Sequence, residues 1–374
     1  MTRSVDPMIT TIAREFMVPA ATAALLSSAF TLPYALGQPV LGPLGDILGK
    51  TTILKVCIWF LAIVLAISAF APNFSFLLAL RPLAGIFAGG LMPVAMAILG
   101  DRYPPNERSL AIARFLSTAL IGQVAGASGA GLLLDWVGWR GVMIITAVVA
   151  AAAATGAMII FPRGSSPPRN PFRFADVVTG YRNVFSNPNA KVCFGIVLVE
   201  GITVFGVTPF FGDMLEQAHT GGPREAGFII AGIGIGGLAF SLSISLIMRF
   251  FARKTMIIAS GVIAAAGLLA IAMDLNWTRD IVYFSFTGFG FFMLHNSMQT
   301  EVSELAPQSR GTAFSMNAFF FFTGQAIGPV IFGPMHLVIG ASLTLVIMAL
   351  LLAISALLGG LFMRRRLISG LQGF

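Results

Sequence analysis

The chain has 374 residues, 57% of them hydrophobic and only 10% charged, with a mean hydropathy of +0.89 and a formal net charge of +8. A water-soluble domain carries about a quarter charged residues, so this composition excludes an ordinary soluble fold and points to a surface that faces lipid. The positive charge does not signal a nucleic-acid partner, because it is topological. Lys50, Lys55, Arg102, Arg108, Arg114, Arg163, Arg182, Arg249, Arg253, Arg310 and Arg364 to Arg366 fall on alternate connections between apolar runs, while the other connections hold Arg14, Arg140, Arg224 and Arg279. That alternation is the positive-inside pattern and sets the basic connections on the cytoplasmic side.

A spanning helix needs about 20 apolar residues. Runs of that length begin near Ala20, Thr52, Phe76, Leu110, Gly141, Val192, Ala226, Thr255, Ile281, Thr312 and Ala341, which predicts eleven full spans. Ahead of them, Ser4 to Ala13 reads as the outer half of a first span entering a loop at Arg14-Glu15, so the expectation is a chain that begins inside a truncated first helix. A short amphipathic N-terminus is the alternative. Between the fifth and sixth full spans the composition turns polar, basic and rich in Pro and Ser. The predicted organisation is an N-terminal helical bundle over 1–162, a cytoplasmic linker over 163–190 and a C-terminal bundle over 191–374 with a basic cytoplasmic tail. Cys57 and Cys193 lie inside apolar runs, which excludes an extracellular disulfide or a thiolate metal pair between them.

An internal repeat supports two like halves. Pro105, Arg108, Gly122, Gln123 and Gly126 recur as Pro307, Arg310, Gly324, Gln325 and Gly328, each displaced by 202 residues. Duplicated bundles joined by a polar loop are an architecture of secondary transporters.

The connection after the run at Ala20 reads Gly42-Pro43-Leu44-Gly45-Asp46-Ile47-Leu48-Gly49-Lys50. It resembles the signature loop of the major facilitator superfamily, Gly-x-Leu-x-Asp-x-x-Gly-Arg/Lys. The fold this resemblance implies is an all-α polytopic membrane protein of two six-helix bundles related by a pseudo-two-fold axis. It also implies a conformational latch: Asp46, with Gly42, Gly49 and Lys50, closes the cytoplasmic side against the start of the eleventh helix near Gly311-Thr312 and against Arg102 or Arg108, while the outer side is open. Arg81-Pro82-Leu83-Ala84-Gly85-Ile86-Phe87-Ala88-Gly89 is similar to the family's fourth-helix motif, Arg-x-x-x-Gly-x-x-x-Gly. On that resemblance Arg81 binds an anion, biases a nearby carboxylate or assists proton coupling; the rival reading is an arginine that snorkels to the outer interface. The fifth helix, from Gly122 through Gly126 to Gly131, is similar to the antiporter motif, except that Ala127 stands where that motif has Pro. Gly122, Gly126 and Gly328 are read first as close-packing positions, with the eighth helix as the partner of the fifth.

Polar side chains inside apolar runs supply the remaining candidates. Gln123 and Gln325 each lie 15 residues beyond a loop arginine, about 22 Å along a helix, which puts them at mid-depth. With Gln38, Asn296 and Asn317 they are the candidate substrate cavity. Glu200 is the foremost candidate protonation site, joined by Arg81 and by Asp6 with Arg3 one turn earlier; a Glu that merely faces a hydrated vestibule is the alternative. His295, close to the inner end of its helix, reads as a hydrogen-bonded structural group. The Phe-rich stretches Phe291-Phe292 and Phe319 to Phe322 read chiefly as core. No nucleotide loop, paired catalytic carboxylates, metal-ligand spacing or cofactor motif is present in the sequence. The expected function is therefore non-enzymatic: secondary active transport of a small molecule by alternating access, as proton-coupled efflux. Proton symport or facilitated uptake is the second reading, and a non-transporting membrane sensor is a third of another class. The expected partners are the lipid bilayer, a small-molecule substrate and protons, with no nucleic acid, in a monomer of the bacterial inner membrane with a cytoplasmic C-terminus.

Overall fold

The computed structural model describes residues 4–161 and 174–362, and among them the chain is helical with short connections and no strand. Among the described residues, nine helical segments are long and apolar enough to cross a membrane. One of these, Ala125–Ile160, lies in α7 (Pro105–Ile160), whose backbone leaves the helical region at Gly138, with φ 66° and ψ 173°. The break is a reversal. Trp139 and Arg140 bond to Glu15, and Arg140 donates to the Ala71 carbonyl at 3.2 Å, whereas at the far end of α7 Lys55 donates to the Phe161 carbonyl beside Arg102. The α7 chain thus starts at the basic face, turns at the opposite face and returns, which makes two crossings. Positive φ at the turn favours glycine because it has no β-carbon to clash.

The other crossings are α2 (Ala20–Ala23) with α3 (Leu25–Leu48), α4 (Lys50–Ala69), α5 (Phe74–Gly89) with α6 (Leu91–Arg102), α9 (Ala190–Gly206) with α10 (Phe211–Gln217), α11 (Pro223–Phe250), α12 (Arg253–Met273), α13 (Trp277–Leu305), α14 (Arg310–Ile339) and α15 (Ala341–Phe362). The α13 helix falls outside the nine because Tyr283, Ser285, Thr287, His295, Asn296 and Ser297 dilute its apolar stretch, although its 29 residues span about 43 Å. Nine segments, plus α13, plus the second crossing in α7, give the eleven expected from the sequence. Ahead of them a 3-10 turn (Asp6–Met8) and α1 (Ile9–Glu15) are buried along one side as far as Ala13. An amphipathic helix, α8 (Phe174–Phe185), lies against the second bundle: Thr312 crowds Gly180, and the Asn187 amide donates to the Leu305 carbonyl at 3.0 Å.

Large apolar side chains such as Leu242 and Val338 are 87% and 82% exposed. In water each such surface would cost about 25 cal/mol per Å²; against acyl chains it costs nothing, so burial in lipid replaces burial in a larger core. Helices pack instead through small residues. A β-carbon on Gly85 would sit 2.1 Å from the Phe30 carbonyl oxygen, and one on Gly89 would sit 2.6 Å from that of Tyr34, so the Gly-x-x-x-Gly spacing of α5 is what lets it touch the backbone of α3. The second bundle repeats the device, with Gly288 of α13 against the Ile233 carbonyl of α11 at 2.4 Å. The basic face is also duplicated. Lys50 pairs with Asp101 at 2.7 Å and Arg253 pairs with Glu304 at 3.2 Å, the partners being 51 residues apart in both cases. Two bundles of like construction, α1–α7 and α9–α15, follow from these correspondences.

Candidate functional site

The second bundle holds a buried carboxylate paired with an imidazole. Helix α9 approaches α14 through glycine: a β-carbon at Gly201 would lie 2.4 Å from the Phe321 carbonyl oxygen, and one at Gly206 would lie 2.9 Å from the Cα of Gly328. This contact fixes the rotation of α9 and turns the adjacent Glu200 toward α13. Its side chain is 0% exposed, and Oε2 meets His295 Nδ1 at 2.8 Å. Oε1 has no protein hydrogen-bond partner among the described residues. A lone carboxylate here would cost several kcal/mol, and the hydrogen bond to the imidazole offsets part of that cost.

Aromatic rings enclose the pair. His295 lies 4.7 Å from the Phe321 ring and 5.4 Å from the Phe291 ring, and Phe205 packs edge-on against both phenylalanines. Phe321 touches Phe322, whose ring meets Tyr34 of the first bundle at 4.5 Å, and Tyr34 stacks on Phe30 at 6.0 Å. Phe30 in turn lies under the Arg81 guanidinium at 4.7 Å. A continuous series of rings therefore connects Glu200 in one half with Arg81 in the other.

Arg81 is 1% exposed and donates from Nε to the Leu26 carbonyl at 3.1 Å, so it is buried and does not snorkel to the interface. It lies within electrostatic reach of Asp6. The Asp6 carboxylate accepts from Ser27 Oγ at 2.5 Å and from Thr208 Oγ1 of the second bundle at 2.8 Å; Arg3, expected beside it, lies outside the described residues. Near Thr208, Arg14 forms an ion pair with Glu216 across the halves, a β-carbon on Gly333 would sit 3.0 Å from Ala21, and His336 meets Asp213 at 3.2 Å within the second bundle. These contacts close the face opposite the basic loops.

The remaining candidates separate. Gln38 is buried and donates to the Gly89 carbonyl at 3.1 Å, Gln325 is buried beside Gly201, and Asn317 is buried with no protein partner for Oδ1 among the described residues. Asn296 is exposed. The side chains of Gly42, Asp46, Arg108 and Gln123 lie outside the described residues. Gly49 has φ 92°, Lys50 is on Asp101, and the Arg102 guanidinium lies 6.0 Å from the Phe161 ring. Of the packing glycines, Gly328 meets Gly206 and Gly126 is half-buried, while a β-carbon on Gly122 would meet open space. The expected contact between the fifth and eighth helices is made farther along α7, by Ala127 and Gly131 against Gly227, with 3.1 Å between a Gly131 β-carbon and the Gly227 Cα. The residue that sequence reasoning set aside is His295. Its only signal was its position on a helix otherwise rich in Phe, and its partner is 95 residues away.

Comparison with known proteins agrees with this architecture. The family model of the Major Facilitator Superfamily matches residues 1–329 and 193–369. The uncharacterized MFS-type transporter YybF of Bacillus subtilis (strain 168) is 25% identical over 332 residues, covering 86% of this chain and 80% of its own. The quinolone resistance protein NorA of Staphylococcus aureus (strain Mu50 / ATCC 700699) is 23% identical over 363 residues, covering 93% and 91%. A bacterial homolog to the human lysosomal transporter Spinster, solved in an inward-facing and unoccupied conformation, shares the fold with a TM-score of 0.72 at 18% identity, over 96% of this chain and 94% of its own. The chain is thus a multi-pass integral membrane protein belonging to the Major Facilitator Superfamily of transporters.

Proposed function

We propose that the protein is a proton-coupled secondary transporter that exports a small aromatic or amphipathic molecule by rocking its two halves. The observation that carries this reading is the fully buried Glu200, bonded to His295 at 2.8 Å and walled by Phe205, Phe291 and Phe321. Glu200 is the proton carrier in this scheme and His295 its positioning partner. Binding sites at such depth between bundles are reached alternately from the two faces. The rings offer flat apolar surface, and a cationic or neutral aromatic substrate gains from both the rings and the carboxylate. Similarity to a protein named for quinolone resistance fits a substrate of that kind.

In this reading the protein sits in a bacterial inner membrane with its basic face and C-terminus on the cytoplasmic side, an orientation that the charge asymmetry supports. The halves are residues 1–162 and 191–374, with 163–190 between them. Closure of the opposite face suits a conformation open to the cytoplasm. Gln38, Gln325 and Asn317 are the polar contacts of the cavity. The test is transport in proteoliposomes with an imposed pH gradient, read with a fluorescent aromatic cation. Export requires substrate and proton to move in opposite directions; movement in the same direction means symport, and uptake that ignores the gradient rejects coupling.

A further inference from the structure

A cavity of about 1460 Å³ opens on the basic face of the second bundle. Its walls are the elbow between α8 and α9, the start of α12 and the ends of α13 and α15. Glycine packing closes its floor: a β-carbon on Gly359 would lie 2.3 Å from Ile196 Cδ1 of α9, and one on Gly360 would lie 2.5 Å from Ile258 Cγ1 of α12. The charge inside is balanced but polarised. Arg253 reaches Glu301 at 3.0 Å and Glu304 at 3.2 Å, one cation against two carboxylates. Lys254 lines the same cavity, is exposed, and has no ion pair among the described residues.

The first bundle shows which of these charges the repeated fold needs. Its matching pair is Lys50–Asp101; Thr51 follows Lys50 where Lys254 follows Arg253, and Ile98 stands three residues before Asp101 where Glu301 stands three before Glu304. The second half thus adds one base and one acid to a pair that forms without them, and both additions line one cavity. We propose that this cavity binds a phospholipid headgroup carrying a phosphate and a primary ammonium, with the phosphate on Lys254 and the ammonium on Glu301 and Glu304. A purely anionic ligand would meet the two carboxylates and a simple cation would meet Lys254; a ligand with both charges meets its opposite at each end. Position makes the source the membrane. Arg253 opens one crossing and Leu361 closes another, so the cavity lies where acyl chains give way to water. From Leu361, which lines it, Leu358, Ile354 and Leu351 continue down α15 as one exposed stripe along which an acyl chain can lie. A headgroup held there joins the α8–α9 elbow to three helix ends through one ligand.

The test uses the purified full chain without substrate or pH gradient, so its outcome is independent of Glu200 and of the coupling reading. Synthetic lipids with one set of acyl chains are titrated into the detergent-solubilised protein, and bound lipid is counted by native mass spectrometry. Phosphatidylethanolamine should bind about threefold or more tightly than phosphatidylcholine, whose quaternary nitrogen has no N–H to donate, and than phosphatidylglycerol, which has the phosphate without a cation; threefold is the scale of one exposed charged contact. Lys254→Thr and Glu301→Gln remove the two added charges and should each abolish the preference, whereas Lys254→Arg should keep it. Equal binding of the three lipids, or a preference that survives both substitutions in protein that elutes as a folded peak, overturns the site. Should the substitutions misfold, the comparison of the three lipids on the wild type decides. Soluble phosphoethanolamine at the lipid's own concentration should leave the lipid bound; displacement would make the occupant a solute of the aqueous phase and overturn the assignment to the membrane.

Discussion

Replacing Glu200 with Gln tests the coupling reading at a single group. Gln has the shape of Glu, and with the site 0% exposed there is no room for a larger rearrangement. The amide can keep a hydrogen bond to His295, so the loss is the difference between a charge-assisted and a neutral bond, about 1 kcal/mol. Folding and membrane insertion should survive. Transport energetics should not. At about 1.36 kcal/mol per pH unit, a gradient of about 2 units supplies about 2.7 kcal/mol per proton, which supports about a 100-fold substrate ratio in electroneutral one-for-one exchange. Without a titratable group at position 200 the ratio should fall to about one, while exchange of labelled for unlabelled substrate at equal concentrations continues. The assay is steady-state accumulation in proteoliposomes with a clamped pH gradient, wild type beside Glu200→Gln. Accumulation by the variant near the wild-type ratio would refute the assignment outright.

His295→Ala removes the described partner of a buried carboxylate and should lower the thermal midpoint in detergent by the equivalent of about 1–3 kcal/mol, with His295→Gln recovering part of it; an unchanged midpoint for the Ala variant would deny the bond a structural share. Gly288→Val should prevent folded protein from accumulating, because its β-carbon would press on the Ile233 carbonyl at 2.4 Å, and overpacking costs about 1–3 kcal/mol even where neighbours are flexible side chains. Monodisperse elution with a normal midpoint would count against that packing. Gly49→Ala places a side chain at φ 92° and should cost about 1–2 kcal/mol, whereas Gly122→Ala, in open space and inside a helix, should be neutral or stabilising. Asp46→Asn should insert normally but transport slowly; undiminished rates would remove the cytoplasmic latch from the mechanism.

What was legible in the sequence is what repeats along it. Apolar run length gave the crossings and alternating charge gave the basic face, whereas Gly85 and Gly89 entered only as part of the arginine motif and prove also to be where α5 meets the backbone of α3. The halves were legible through an offset of 202. What was not legible is whatever depends on rotation between helices distant in sequence. His295 meets Glu200 only because α9 rolls on Gly201 and Gly206, and no periodicity encodes that roll. The packing partner of the fifth helix was not legible for a related reason: its motif is regular along α7, but the halves converge only toward Ala127 and Gly131, so Gly122 faces open space. The contacts of Asp6 with Thr208 and of Arg14 with Glu216 share the repeat's offset, yet an offset says that two positions correspond and not that they touch.

Glu200 and His295 both lie within the second bundle, so in the proposed mechanism proton movement has to reach the other half through matter that spans the seam. The described ring contact there is Tyr34–Phe322, at 4.5 Å, with Phe321 and His295 behind one ring and Phe30 and Arg81 behind the other. Spatial continuity alone does not demonstrate coupling, but it fixes what to measure. An edge-to-face pair is worth about 0.5–1.5 kcal/mol beyond its buried area. Phe322→Ala should therefore leave Glu200 able to exchange protons while weakening its hold on the facing state, seen as proton leak without substrate countermovement and a falling accumulation ratio. Tyr34→Ala should do the same, and because both variants break one contact, the double variant should leak no more than either alone. If the two effects simply add, each ring acts on its own half, and the seam does not carry the coupling.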